Sequence, residues 1–208
     1  FVDSISNPLA YLTGITTDIN GDGKVEVVVA SLVDSSSGYL ALVDPTTNTE
    51  VLKLANYDSN TGYRAVTTGD FNGDGFSDLL VGNYLRNEAY VFYGKNYQAS
   101  YDRGVAALPA PIPAGSGFYI IDSQQNPDLS LGFTVASGDV NGDGYDDLLV
   151  SDGYAANPSL GNKDEIFVIF GNQGLGSLGK LDVNDIRVGT GNQGYVINAD
   201  PALPFLGF

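Results

Sequence analysis

An all-β fold is the class that three features of the sequence predict: short apolar runs rich in Val, Leu, Ile, Tyr and Phe, 27 glycines and 9 prolines that punctuate them, and one acidic loop motif written three times. Many short strands joined by turns have this composition. The 208 residues are 43% hydrophobic and 16% charged, which is enough apolar material for a core and too little charge for a solvated, disordered polymer.

The repeat sets the architecture. Residues 18–26, 70–78 and 139–147 each read Asp-x-Asn-Gly-Asp-Gly-x-x-acid, identical at five of nine positions. Small and apolar residues precede the second and third loops (65–68, 134–137), and an apolar run follows each loop (27–29, 79–81, 148–150), so each copy reads as strand, loop, strand. Third strands are predicted at 39–43, 89–93 and 166–170, and fourth strands at 118–121, at 195–198 and around 51–54. Continuous apolar runs, rather than strict alternation, indicate strands covered on both faces.

Four strands per copy, at offsets of 52 and 69 residues, predict a β-propeller of four-stranded antiparallel blades. The blades are expected at 1–58, 59–122 and 123–199, and 200–208 is expected to begin a further, truncated repeat. The Pro/Ala/Gly-rich stretch 95–117 inside the second blade accounts for the longer offset. Gly117 to Asp122 and Leu131-Gly132-Phe133 return as Gly194 to Asp200 and Leu206-Gly207-Phe208, so the chain is expected to stop in mid-repeat, with further blades supplied by a longer chain or a partner chain.

The loops have the donor chemistry of a calcium site. Ca²⁺ takes six to eight oxygen ligands, and alternate residues of one tight loop can aim at a common centre. The first loop offers Asp18, Asn20, Asp22 and Glu26 with the backbone carbonyl of Lys24, the second Asp70, Asn72, Asp74 and Asp78 with the carbonyl of Phe76, and the third Asp139, Asn141, Asp143 and Asp147 with the carbonyl of Tyr145. One Ca²⁺ per loop, about three in all, is expected. Glycine at position 6 (Gly23, Gly75, Gly144) allows the sharp turn. A plain hairpin turn also favours Asn-Gly and Asp-Gly, but has no need for three converging carboxylates. An EF-hand would need an acid at position 12, where Val29, Val81 and Val150 stand.

Composition excludes several functions. Twenty-five acidic against nine basic residues give a net charge of -16, which repels nucleic acids and anionic lipid surfaces. Without His or Cys there is no His-based acid/base chemistry, no Cys or His zinc site and no Ser-His-Asp triad. No apolar run reaches the roughly 18 residues of a transmembrane helix. Phe1-Val2-Asp3-Ser4 lacks the basic and apolar regions of a signal peptide, so a mature, soluble and trimmed chain is expected.

An acid at position 9, an apolar strand and then a glycine-bearing turn resemble the FG-GAP repeats of integrin α-subunit propellers and related bacterial and fungal proteins. The third repeat matches best, with Leu131-Gly132-Phe133 through Asp139 and then Val150-Ser151-Asp152-Gly153. The second has Val81-Gly82-Asn83-Tyr84 at the latter place. The first departs furthest, and its 38–45 and 50–54 fit a related bacterial propeller repeat equally. The resemblance implies an extracellular or cell-surface, non-enzymatic module for adhesion, surface assembly or scaffolding, with a protein or glycan ligand. The alternatives are a calcium-dependent lectin-like propeller, for which 13 tyrosines including Tyr39, Tyr90, Tyr93 and Tyr119 offer stacking surfaces, and a non-catalytic domain of a larger secreted enzyme. Asp152, Asp164 and Glu165 are the nominal candidates for carboxylate catalysis, and Arg64, Arg86, Arg103 and Arg187 are expected to be lone surface charges.

Overall fold

The computed structural model describes residues 10–31, 39–55, 63–94, 112, 115–123, 130–153, 165–175, 177, 179–189 and 193–198. The expected truncated repeat at 200–208, Asp164, and all of the 95–117 stretch except 112 and 115–117 lie outside them.

Strands β1 (Ala10–Thr17), β2 (Glu26–Ser31), β3 (Tyr39–Asp44) and β4 (Thr49–Ala55) form one antiparallel sheet in chain order. A second antiparallel meander runs β5 (Tyr63–Gly69), β6 (Asp78–Asn83), β7 (Glu88–Phe92) and β8 (Gly117–Ile121). The third contains β9 (Leu131–Gly138), β10 (Asp147–Asp152), β11 (Glu165–Ile169) and β13 (Gly194–Asn198). Each acidic loop joins the first two strands of its sheet. The fold class is therefore the expected one, all-β with four-stranded antiparallel blades.

The sheets stack face to face, and their cores lie between them. Ile19, Val28, Leu40 and Leu42 of the first sheet and its loop meet Val66, Leu79, Val81, Tyr90 and Phe92 of the second. On the other side Phe71, Leu80, Val91, Phe118 and Ile120 meet Val135, Leu148, Val150, Phe167 and Ile169 of the third. Successive residues of β6 thus point to different neighbours, Leu79 and Val81 one way and Leu80 the other, and every β6 side chain is buried. A strand sandwiched in this way has no water-facing side, which is why its sequence is apolar without alternation.

One element departs from the simple meander. Between β11 and β13 the chain forms β12 (Lys180–Asp182), which pairs parallel with β8 as a fifth strand of the second sheet, and then a one-turn helix α1 (Val183–Arg187). Asp182 caps this helix by accepting from the Asn184 N–H at 3.1 Å and also accepts from the Ser123 N–H. Leu181, Val183 and Ile186 seal the core between the second and third sheets.

Candidate metal centre

All three loops are folded the same way. Both of their glycines, at positions 4 and 6, have positive φ: 71° and 82° for Gly21 and Gly23, 73° and 86° for Gly73 and Gly75, 80° and 91° for Gly142 and Gly144. A side chain at either position would resist this path. The resulting coil turns backbone N–H groups inward onto the position-1 carboxylate. Asp70 accepts from the N–H groups of Gly73, Asp74 and Gly75 at 2.8, 3.1 and 2.9 Å. Asp139 accepts from Gly142, Asp143 and Gly144 at 2.7, 3.1 and 3.0 Å. Asp18 accepts from Asp22 and Gly23.

The remaining expected ligands are ordered as regularly. Asn20, Asn72 and Asn141 accept through Oδ1 from the N–H of the position-5 aspartate. Asp22, Asp74 and Asp143 accept in turn from the N–H of Lys24, Phe76 and Tyr145. Positions 1, 3 and 5 therefore sit on the rim of the loop, with lone pairs left over after each amide bond.

Position 9 is different. Glu26, Asp78 and Asp147 are fully buried. Asp78 accepts from the Phe71 N–H at 2.9 Å and the Gly94 N–H at 2.8 Å, and Asp147 from Val140 and Gly171, both at 2.9 Å. Glu26 reaches the Ile19 N–H and the Asn20 side-chain amide with its longer stem. Asp78 and Asp147 thereby tie their loops to the turn that follows the third strand, a bracing role that the sequence reading did not assign to position 9, whereas the two bonds of Glu26 stay within its own loop. Burial pushes the Asp78 carboxyl up to about 7, with its two amide bonds pulling it back and Asp74 and Asp70 adding repulsion. Burial raises Glu26 as well.

The donors are hard oxygens throughout, three carboxylates and an amide per loop, and these suit Ca²⁺. Among the described residues no three acidic side chains converge into a ready-made cage. A cation at these loops would draw on Asn and backbone oxygens together with the carboxylates.

The loops also dock onto each other. The ring of Phe76, position 7 of the second loop, lies over Gly21, position 4 of the first, where a Cβ would otherwise stand. Tyr145 lies over Gly73 in the same way. Asp146 accepts from the Asp70 N–H at 2.9 Å and donates its own N–H to the Asp70 carbonyl at 3.1 Å.

Elsewhere the structure changes the reading of individual residues. Arg187 is no lone surface charge: its guanidinium donates to Asp122 at 2.7 and 3.3 Å and to Glu165 at 2.7 and 2.9 Å, and lies 5.0 Å from the Phe167 ring centre. Asp152 and Glu165 are buried cross-strand partners in this cluster. Tyr90 and Tyr93 are buried, so these two do not present sugar-stacking faces, and Tyr119 is half-buried against the core between the first and second sheets; the side chain of Tyr39 lies outside the described residues. Among the described residues no helix is long and apolar enough to cross a membrane.

Comparison with known proteins finds two family matches, an FG-GAP-like repeat over residues 18–81 and an FG-GAP repeat over residues 131–169. The chain is 28% identical over 175 residues to integrin alpha-7 of Rattus norvegicus and 27% identical over 175 residues to integrin alpha-7 of Mus musculus. Each alignment covers 73% of the chain but only 14% and 13% of the relative, so the chain spans about one seventh of the length of these relatives.

Proposed function

From the premise that the chain is built of FG-GAP repeats of the integrin α-like family, we propose that it serves as an extracellular adhesion or surface-assembly module whose blades are stabilised by calcium at loops 18–26, 70–78 and 139–147. One observation carries the calcium part: three loops far apart in sequence share one coil, with carboxylates at positions 1 and 5 on the rim and a third at position 9 buried beneath. Three negative charges per loop repel one another, and a divalent cation removes that repulsion.

On this reading calcium is structural. Asp18, Asp22, Asp70, Asp74, Asp139 and Asp143 contact it from the rim, and the Asn side chains and the carbonyls of Lys24, Phe76 and Tyr145 complete the oxygen set. Position 9 links bound metal to the sheet through the amides of Gly94 and Gly171. Modules working where calcium is abundant tolerate weak sites, with a Kd of about 10⁻⁴ to 10⁻³ M in extracellular EF-hand modules. A protein or glycan ligand would then meet loops held rigid by the metal. Asp, Asn and a net charge of -16 favour a ligand that is itself cationic or bridged by calcium.

The test is thermal unfolding of the chain in excess Ca²⁺, in excess Mg²⁺ and in chelator. A midpoint raised by Ca²⁺ well above the other two supports the reading, since a ligand bound only by the native state stabilises it. Three superimposable curves would exclude it.

A further inference from the structure

Loop 139–147 reaches into loop 70–78 with two neighbouring side chains. The Tyr145 ring lies over Gly73, and the Asp146 carboxylate accepts from the Asp70 N–H through Oδ2 at 2.9 Å. The Asp146 N–H returns a bond to the Asp70 carbonyl at 3.1 Å, and Asn172, beyond β11, donates its N–H to the Phe71 carbonyl at 3.0 Å. Positions 1 and 2 of the second loop are thus clamped by the third repeat.

Room for this clamp is built into the second sheet. A Cβ on Gly69, the residue before the loop, would stand 2.8 Å from the Asp146 Cβ and 2.9 Å from its Oδ2. At the other junction the corresponding residues are Thr17 and Ser77. Thr17 is buried with its hydroxyl unbonded, and among the described residues no hydrogen bond joins Ser77 to Asp18. Phe76 repeats the ring contact on Gly21, so the ring is common to both junctions and the carboxylate belongs to one. Packing of sheet on sheet therefore does not require it.

We propose that Asp146 is a positioning residue for the calcium site of loop 70–78, which makes that site the joint product of two blades. The inference rests on the calcium reading above. On that reading Asp70 is the first metal donor of its loop, and it also gathers the amides of Gly73, Asp74 and Gly75. Asp146 fixes its backbone at both the N–H and the carbonyl. Outer partners of this kind orient metal ligands, and losing one typically costs about 10–100-fold in metal affinity. Position 8 supplies no donor of its own, being Val25 in the first loop and Ser77 in the second. Among the described residues the Asp146 side chain bonds nothing within its own loop.

The test is calorimetric Ca²⁺ titration of the chain and of its Asp146→Ala, Asp146→Asn and Asp74→Ala variants, together with the double variant Asp74→Ala, Asp146→Ala. Asp146→Ala is expected to weaken one site by about tenfold or more and to leave the other two at parental affinity, which also reports that the variant is folded. Asp146→Asn keeps an oxygen for the Asp70 N–H and should recover most of the loss. In the Asp74→Ala background, where the second site is already gone, adding Asp146→Ala should change nothing. Weakening of the two sites that remain in that background overturns the positioning role, and so does a loss in Asp146→Asn as large as in Asp146→Ala. Uptake of about three Ca²⁺ with equal affinities in the parent and in Asp146→Ala overturns this proposal alone and leaves the calcium reading standing. No uptake by the parent chain overturns both.

Discussion

Gly82 of β6 and Gly132 of β9 meet backbone to backbone where the second and third sheets join: a Cβ on Gly82 would enter the Gly132 carbonyl, and one on Gly132 would stand 3.0 Å from the Gly82 Cα. Beside this contact the Leu131 N–H donates to the Asn87 side chain at 2.7 Å. The sheets can approach this closely only without side chains at both positions. Gly82→Ala therefore forces them apart and is expected to cost about 1–3 kcal/mol, the usual range for overpacking. Urea unfolding measures it, and an unchanged midpoint would mean that the junction is looser than described.

Arg187 lies among Asp122, Asp152 and Glu165, three carboxylates whose side chains are 0%, 0% and 11% exposed. Removing the cation leaves buried negative charges without a partner, so Arg187→Ala is expected to lose about 3 kcal/mol or more. Arg187→Lys should recover only part of this, because one ammonium cannot reproduce paired bonds to two carboxylates. Equal stability of Arg187→Ala and the parent in chemical unfolding would contradict this role.

Asp152 gives the cluster a pH signature. Its Oδ1 accepts from the Ser130 N–H, while its Oδ2 is buried without a hydrogen bond, 3.9 Å from the Arg187 guanidinium. Burial, and then the charges of Asp122 and Glu165, raise its carboxyl from 3.8 to about 7, against the pull of the Ser130 amide and Arg187. Below about pH 4 the group is neutral in the folded and unfolded chain alike. Between about pH 4 and 7 the folded chain keeps a proton that the unfolded chain releases, so this group's contribution makes stability fall as pH rises. Asp152→Asn should match the parent near pH 4 and exceed it at pH 8 by on the order of a few kcal/mol. Parallel pH profiles of the two proteins would rule this out.

How much of this was legible in the sequence depends on how local each feature is. The loops were readable because Asp-x-Asn-Gly-Asp-Gly specifies its own turn, and the strands because the runs at 79–81 and 148–150 are apolar on both faces. β12 and α1 were not, since three and five residues are too short to display a period. The arginine cluster gathers residues 152, 165 and 187 from three elements and residue 122 from just beyond β8, which no local pattern reveals. In the second sheet the places of Asp152, Glu165 and Phe167 are held by Asn83, Glu88 and Tyr90, and the Tyr90 hydroxyl donates to Glu88. In the third sheet Phe167 has no hydroxyl, and Arg187 serves Glu165 from above the ring. The second use of position 9, as a buried brace onto Gly94 or Gly171, likewise depends on residues 16 and 24 positions away.

Within the loops, single substitutions should act locally. Asp74→Ala removes a rim carboxylate and the acceptor of the Phe76 N–H, and Asp143→Ala does the same for Tyr145. Each is expected to abolish one calcium site, lowering the uptake by about one Ca²⁺ and leaving the other two loops able to bind. Uptake unaltered in both variants would show that the metal, if bound, lies elsewhere.

The most direct test of the central claim is calorimetric titration of the chain with Ca²⁺, paired with its unfolding temperature in calcium and in chelator. The account predicts uptake of about three Ca²⁺ and an unfolding temperature that falls when calcium is removed. No uptake, with the same unfolding temperature in both conditions, would contradict it and leave the three acidic loops as turns held by their own backbone amides.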